Sequence, residues 1–395
     1  MRHTARVSTA ADSPTRAPLA VSAAAFVSSL DRFATAPMIV LIAADLQVSL
    51  TDTATFVAGG YFLAYGVCQP LWGLLSDRIG RGRTMVLTLV IAGIAGLISA
   101  FAPNLALLAV ARTVAGACFG AIAPASITFV GDTVGPAFRQ RALSDLLAVT
   151  ATGVAVSTAL AGGLAHVLSW RAVFGLTGLI AMLCALGVRG VSESRHAEMT
   201  GIAAHLGGVL RNRWALLVFA VAFVEGGVVL GMLTYLPAAL STTRGIDSGV
   251  AGLAVAAYGV GALGFSRVVS RLTARRPMWL LGAIGGVAML LAFVTVATTI
   301  TIASVIACAL LLGCGWAFLH SSLQTWATSV APEARGTAVA LFAASLFIGS
   351  SLSTALAAPF AGAGRFTLVF AVAALVAVPM TGVAVVGMRG YAGRR

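Results

Sequence analysis

Long apolar runs, broken by short polar turns, recur along almost the whole chain. A helix rises 1.5 Å per residue, so ~20 apolar residues cross the ~30 Å hydrocarbon core of a bilayer. The pattern predicts membrane-spanning helices at 19–44, 53–75, 84–102, 106–131, 142–165 and 171–190. A second six are predicted at 213–238, 249–270, 278–299, 301–327, 337–360 and 365–388. Only the stretch between Arg189 and Arg213, polar from Ser192 to Glu198, is long enough to separate two bundles. The expected order is a tail (1–18), a six-helix bundle (19–190), a linker (191–212), a second bundle (213–388) and a short tail (389–395).

Composition strengthens this reading. The 395 residues are 59% hydrophobic and 9% charged, with a mean hydropathy of +0.99, whereas soluble domains carry roughly 25% charged residues. The fold class expected is an all-α membrane protein with twelve transmembrane helices. The first apolar run is too long for a cleaved leader, and it reads as the first span.

The net charge of +13 does not mark a nucleic-acid partner, because the arginines sit in short loops between apolar runs. Their distribution marks topology instead. With the N-terminus inside, the outer loops hold only Arg171, Arg244 and Arg365. The opposite loops hold clusters such as Arg78/Arg81/Arg83, Arg139/Arg141, Arg211/Arg213 and Arg271/Arg275/Arg276. Both termini are therefore expected on the cytoplasmic side of a bacterial plasma membrane.

The two halves repeat. "AYGV" occurs at Ala64–Val67 and again at Ala257–Val260. "STALA" occurs at Ser157–Ala161 and Ser353–Ala357, and in the same register Pro136 matches Pro332, Arg139 matches Arg335 and Phe174 matches Phe370. Two six-helix halves around a midplane site is a transporter arrangement.

After span two comes "GLLSDRIGRGRT", in which Gly73, Asp77, Arg78, Gly80, Arg81 and Arg83 fit G-x-x-x-D-R-x-G-R-x-R. This resembles the cytoplasmic loop between the second and third helices of the major facilitator superfamily. In the second half the same place carries Ser270 and Arg271. The resemblance implies two pseudo-symmetric six-helix bundles and a cytoplasmic gate. In that gate Asp77 faces the start of span eleven, and Arg81 pairs with Asp132. Gly73 is expected to allow close helix approach and Gly80 a tight turn.

Arg112, Gly116 and Gly120 recur every four residues in span four, on one helix face; this resembles a family motif that supports proton coupling. Span five keeps small residues at Gly153, Ser157, Thr158, Ala161 and Gly162, but it lacks the Gly-Pro pair of the drug/proton antiporter branch.

Ionisable groups deep in spans are functional candidates by default. Asp31 and Glu225 lie near the midplane of the first helix of each half, and Arg112 and His320 join them as proton-coupling candidates. Adjacent helical residues project ~100° apart, so Asp31 and Arg32 are expected to face different surroundings. Asp31 is preferred for the pathway and Arg32 for a neighbouring helix or an anionic group, with the choice of which one faces the cavity left open. A lasting pair between Asp31 and an arginine of another helix is the structural alternative. Tyr61, Tyr65, Gln69, Phe119, Tyr258, Trp316 and Gln324 complete the expected cavity wall, with Arg32.

The function expected is a proton-coupled secondary transporter working by alternating access and exporting small amphipathic compounds or drugs. A dedicated metabolite transporter is the second reading, and a non-transporting receptor or scaffold the third. The expected partners are a small-molecule substrate, protons and the bilayer, with the chain acting as a monomer. No nucleotide loop, nucleophile motif or metal-ligand spacing occurs, so no enzymatic activity, cofactor or metal is expected. The five cysteines all fall within apolar runs and read as packing residues.

Overall fold

The computed structural model describes residues 14–191 and 202–392. Residues 1–13, 192–201 and 393–395 lie outside the described residues, and with them parts of the expected tails and linker. The described chain is helical, with no strand among its residues.

The first bundle consists of α1 (Leu19–Asp45), α2 (residues 50–79), α3 (Arg81–Ala100), α4 (Leu105–Thr133), α5 (Pro136–Val167) and α6 (Trp170–Arg189). A connecting helix, Ile202–Arg211, leads into the second. That bundle holds α7 (Arg213–Arg244), α8 (Ser248–Leu272), α9 (Met278–Thr298), α10 (Ile302–Val330), α11 (Pro332–Gly362) and α12 (Phe366–Ala392). Eleven of the twelve are long and apolar enough to cross a membrane. The twelfth, α2, is long enough but less apolar, because Tyr61, Tyr65, Gln69 and Trp72 interrupt its aliphatic run.

Most helices run a few residues past the predicted ends, and polar caps fix where several of them begin. Asn104 accepts a hydrogen bond from the Leu107 N–H at 3.0 Å, and Asn212 accepts one from Trp214 at 2.9 Å. Thr301 and Ser304 form a reciprocal capping box at the head of α10. Each such cap satisfies donors that the first helical turn leaves unpaired.

The two halves meet mainly at the end that carries Arg171, Arg244 and Arg365, here called the sparse end. Along the α5–α8 seam, a side chain at Gly162 or Gly252 would collide with the backbone carbonyls of Ser248 and Thr158 respectively. Ser248 donates a hydrogen bond to the Gly162 carbonyl at 3.2 Å. Across the α2–α11 seam, Thr51 donates to the Ala358 carbonyl at 3.1 Å. A Cβ at Gly66 would lie 2.9 Å from the Ala344 carbonyl oxygen. Toward the arginine-rich end the same two helices part: nothing lies within 4 Å of a Cβ built on Gly73 or Gly336. The molecule is thus shut at its sparse end and parted at its arginine-rich end. Gly73 accordingly makes no close helix contact in this arrangement, contrary to expectation.

Candidate functional site

Asp31 does not face the pathway. Both its oxygens accept from the Arg112 guanidinium, at 3.1 and 2.6 Å, and Thr177 of α6 donates to Oδ1 at 2.9 Å. The two charged side chains are 1% and 0% exposed. Arg112 is further sandwiched by the rings of Tyr61 and Phe174, 4.9 and 4.3 Å from its Cζ. Such fork-to-fork geometry is the strong form of ion pair, and it ties α1, α4 and α6 together. The structure thus places Asp31 in the interhelical ion pair raised as its alternative, because a carboxylate on this face of α1 points into the bundle. Thr177 was not among the sequence candidates, since a lone threonine in an apolar span carries no signal.

Arg32, one residue on, faces the other way. Its Nη1 donates to the Tyr65 hydroxyl at 3.2 Å, and Phe33, Tyr65 and Phe347 present their rings 5.0, 5.4 and 5.6 Å from its Cζ. It lines a small pocket between the halves, with Tyr61, Phe62 and Thr158 on one side and Leu230, Leu233 and Thr234 of α7 on the other. Phe33 leads on to Tyr258 of α8, and Tyr258 to Trp316 of α10, with ring centroids 6.2 and 6.4 Å apart. Gln69 and Phe119 are buried and do not line this pocket. Gln324 is exposed, one turn beyond His320.

The second half holds a separate charged group. Glu225 is fully buried, and its Oε2 lies 3.0 Å from His320 Nδ1. Its other oxygen, Oε1, bonds no protein group. The His320 ring stacks on Trp316 at 3.7 Å between centroids, and its side chain is 13% exposed. Both residues border π-helical turns, Gly227–Gly231 and Trp316–His320, a local widening found often at functional sites.

At the arginine-rich end, Gly80 takes φ 103°, a conformation that favours glycine, and turns the chain from α2 into α3. Arg81 bonds Asp77 at 2.9 Å and Asp132 at 3.2 Å. Asp77 is thus engaged within its own half. The expected contact with the start of α11 is not made, because α2 and α11 have parted there. Arg78 and Arg83 are exposed. At the sparse end, Asp45 accepts from Arg171 and from Trp170 Nε1, a clamp between α1 and α6 that sequence reading missed.

Comparison with known proteins agrees with this architecture. The chain is 24% identical over 221 residues to YfhI of Bacillus subtilis (strain 168), an uncharacterized transporter of the MFS type. That match covers 56% of the chain and 55% of the relative. It is 28% identical over 223 residues to the puromycin resistance protein pur8 of Streptomyces alboniger, covering 52% of the chain and 43% of the relative. The chain thus spans about half the length of these curated relatives. Among solved structures, a bacterial homologue of the human lysosomal transporter Spinster superposes with a TM-score of 0.80 at 15% identity. It covers 96% of this chain and 98% of its own, and it is in an inward-facing, unoccupied conformation. A model of the Major Facilitator Superfamily matches residues 21–354, and the chain belongs to that superfamily of membrane transporters.

Proposed function

We propose that this protein is a proton-coupled exporter of small amphipathic compounds. It works by alternating access in the plasma membrane, with its arginine-rich end and termini in the cytoplasm. The observation that carries the reading is the buried Glu225–His320 pair beside the central aromatic wall. Carboxylate with neutral imidazole carries a net charge of −1. One added proton makes the pair neutral overall, as carboxylic acid with imidazole or as carboxylate with imidazolium. Burying an uncompensated charge is costly and burying a neutral pair is far less so. Proton uptake at this pair would therefore favour the arrangement in which it is sealed off, and release would favour the one in which it is wet. The arginine asymmetry supports the orientation, and resistance and efflux proteins among the relatives support the substrate class.

The test is transport in proteoliposomes under an imposed pH gradient, with a panel of labelled amphipathic compounds of either charge. Glu225→Gln should abolish gradient-driven accumulation while leaving substrate exchange without a gradient. Accumulation in Glu225→Gln equal to wild type would remove Glu225 as the coupling group.

A further inference from the structure

Three polar groups around Arg32 find no protein partner. Arg32 Nε, the Tyr61 hydroxyl and the Thr158 hydroxyl are all buried, and none makes a hydrogen bond within the chain. All three residues line the same pocket between the halves. A guanidinium N–H only donates, and a hydroxyl can donate. Buried polar groups nearly always pair, and one left unpaired has given up its hydration with nothing in exchange. Three together around one pocket are therefore a pattern that calls for an acceptor.

The charge points the same way. Asp31, adjacent in sequence, is fully engaged by Arg112 and Thr177. Glu225 is bonded to His320. No ion pair involves Arg32 among the described residues. Its three aromatic neighbours offset part of its desolvation through cation–π contacts. They supply no negative charge, however, and an arginine at mid-membrane depth is costly without one.

We propose that Arg32, Tyr61 and Thr158 form an anion site, which takes the acidic head (carboxylate, sulfonate or phosphate) of the transported amphiphile. The apolar remainder lies along Phe33, Phe62 and Phe347. The three donors come from α1, α2 and α5, and the facing wall comes from α7 of the other half. The space between them is about 10 Å³, room for a water and not for an acidic head, so the head enters as α7 moves away from the three donors. The proposal rests on the chain being a transporter and is independent of proton coupling. A small inorganic anion such as chloride satisfies the same donors, and the experiment separates the two sources.

Purified protein in detergent, in buffer lacking chloride, sulfate and phosphate, would be titrated with hexanoate, hexane-1-sulfonate, hexyltrimethylammonium or sodium chloride. Thermal unfolding then reports affinity through mass action. The two organic anions should stabilise the protein and the matched cation should not. Arg32→Gln should weaken anion binding roughly tenfold or more, because a charge-assisted bond is lost, and Thr158→Val several-fold. Arg32→Lys, which keeps the charge without the fork, should fall between wild type and Arg32→Gln. If Arg32→Gln does not fold, Arg32→Lys and Thr158→Val carry the test. Arg32-dependent stabilisation by chloride alone, with no gain from hexanoate, would keep the anion site but overturn its assignment to substrate. Equal binding of anion and cation, or anion binding unchanged in all three variants, would overturn the proposal outright. No step uses a pH gradient, so failure here is distinct from failure of the coupling assignment.

Discussion

Removing one member of the Asp31–Arg112 pair should damage stability far more than it damages coupling. Asp31→Asn leaves a guanidinium that is 0% exposed without its counter-charge, and it turns one of the two oxygens that accept at 3.1 and 2.6 Å into an amide donor facing that guanidinium. Stripping one partner from a buried ion pair costs about 3–5 kcal/mol. At roughly 2–4 °C per kcal/mol for a domain of this size, the loss in Tm is on the order of 10 °C. Arg112→Gln should cost a similar amount, since it strands the carboxylate. The double variant removes both charges and should recover most of the loss, giving a coupling energy of about 5 kcal/mol or more. The assay is thermal unfolding followed with a thiol-reactive dye, because Cys118, Cys184, Cys308 and Cys314 are free and buried and become reactive as the bundle opens. A double variant no more stable than the weaker single would refute the reasoning. So would an Asp31→Asn protein of unchanged Tm that has lost gradient-driven transport, since Asp31 would then be a proton carrier rather than a tie.

Other consequences can be checked more briefly. Gly162→Val places a branched side chain against the Ser248 carbonyl, so the sparse end should not close. A cysteine at Thr51, protected in the parent, should then react with an impermeant maleimide, and unchanged protection would count against the seam. Arg81→Gln removes two partly exposed ion pairs, each contributing ~1 kcal/mol or less. Its Tm should barely move while its turnover number changes; a large drop in Tm with normal transport would make the loop structural. The Asp247 carboxyl, capping α8, is held below its usual 3.8 by hydrogen bonds from the backbone N–H groups of Val250 and Gly249. A depressed folded value gives a contribution that is full above the unfolded value and lost as pH falls through the folded one. The Tm difference between wild type and Asp247→Ala should therefore be flat from neutral pH to about 4 and shrink below it. A difference that grows on acidification would contradict the cap.

The architecture was legible because twelve apolar runs, an internal repeat and a loop signature all carry local information. The polar groups were legible only singly. Asp31 and Arg112 were each picked out, but their union spans 81 residues, and nothing in a helical wheel says which arginine a carboxylate will meet. The glycines below Arg112 were read as part of a proton path. In the fold they let α4 press on α2, with Gly120 set so that a Cβ would lie 2.8 Å from the Tyr65 carbonyl oxygen. The same limit hid the Glu225–His320 pair, whose members lie 95 residues apart. The pairing of Arg81 with Asp132 was within reach because a known loop supplied the geometry. Asp77 went elsewhere because its expected partner, the start of α11, belongs to an arrangement with the arginine-rich end shut.

Glu225 is the deep carboxyl without an arginine partner among the described residues, and if it alone carries the coupling proton, as proposed, that single seat sets a ceiling on pumping. One proton entering down a potential of 100 mV releases about 2.3 kcal/mol, enough to hold a neutral compound at about a fiftyfold gradient at ~1.4 kcal/mol per decade. If the compound leaving carries a negative charge on Arg32, each cycle moves two charges in the favourable direction. The same voltage then supplies about 4.6 kcal/mol, and the sustainable gradient rises to roughly two-thousandfold.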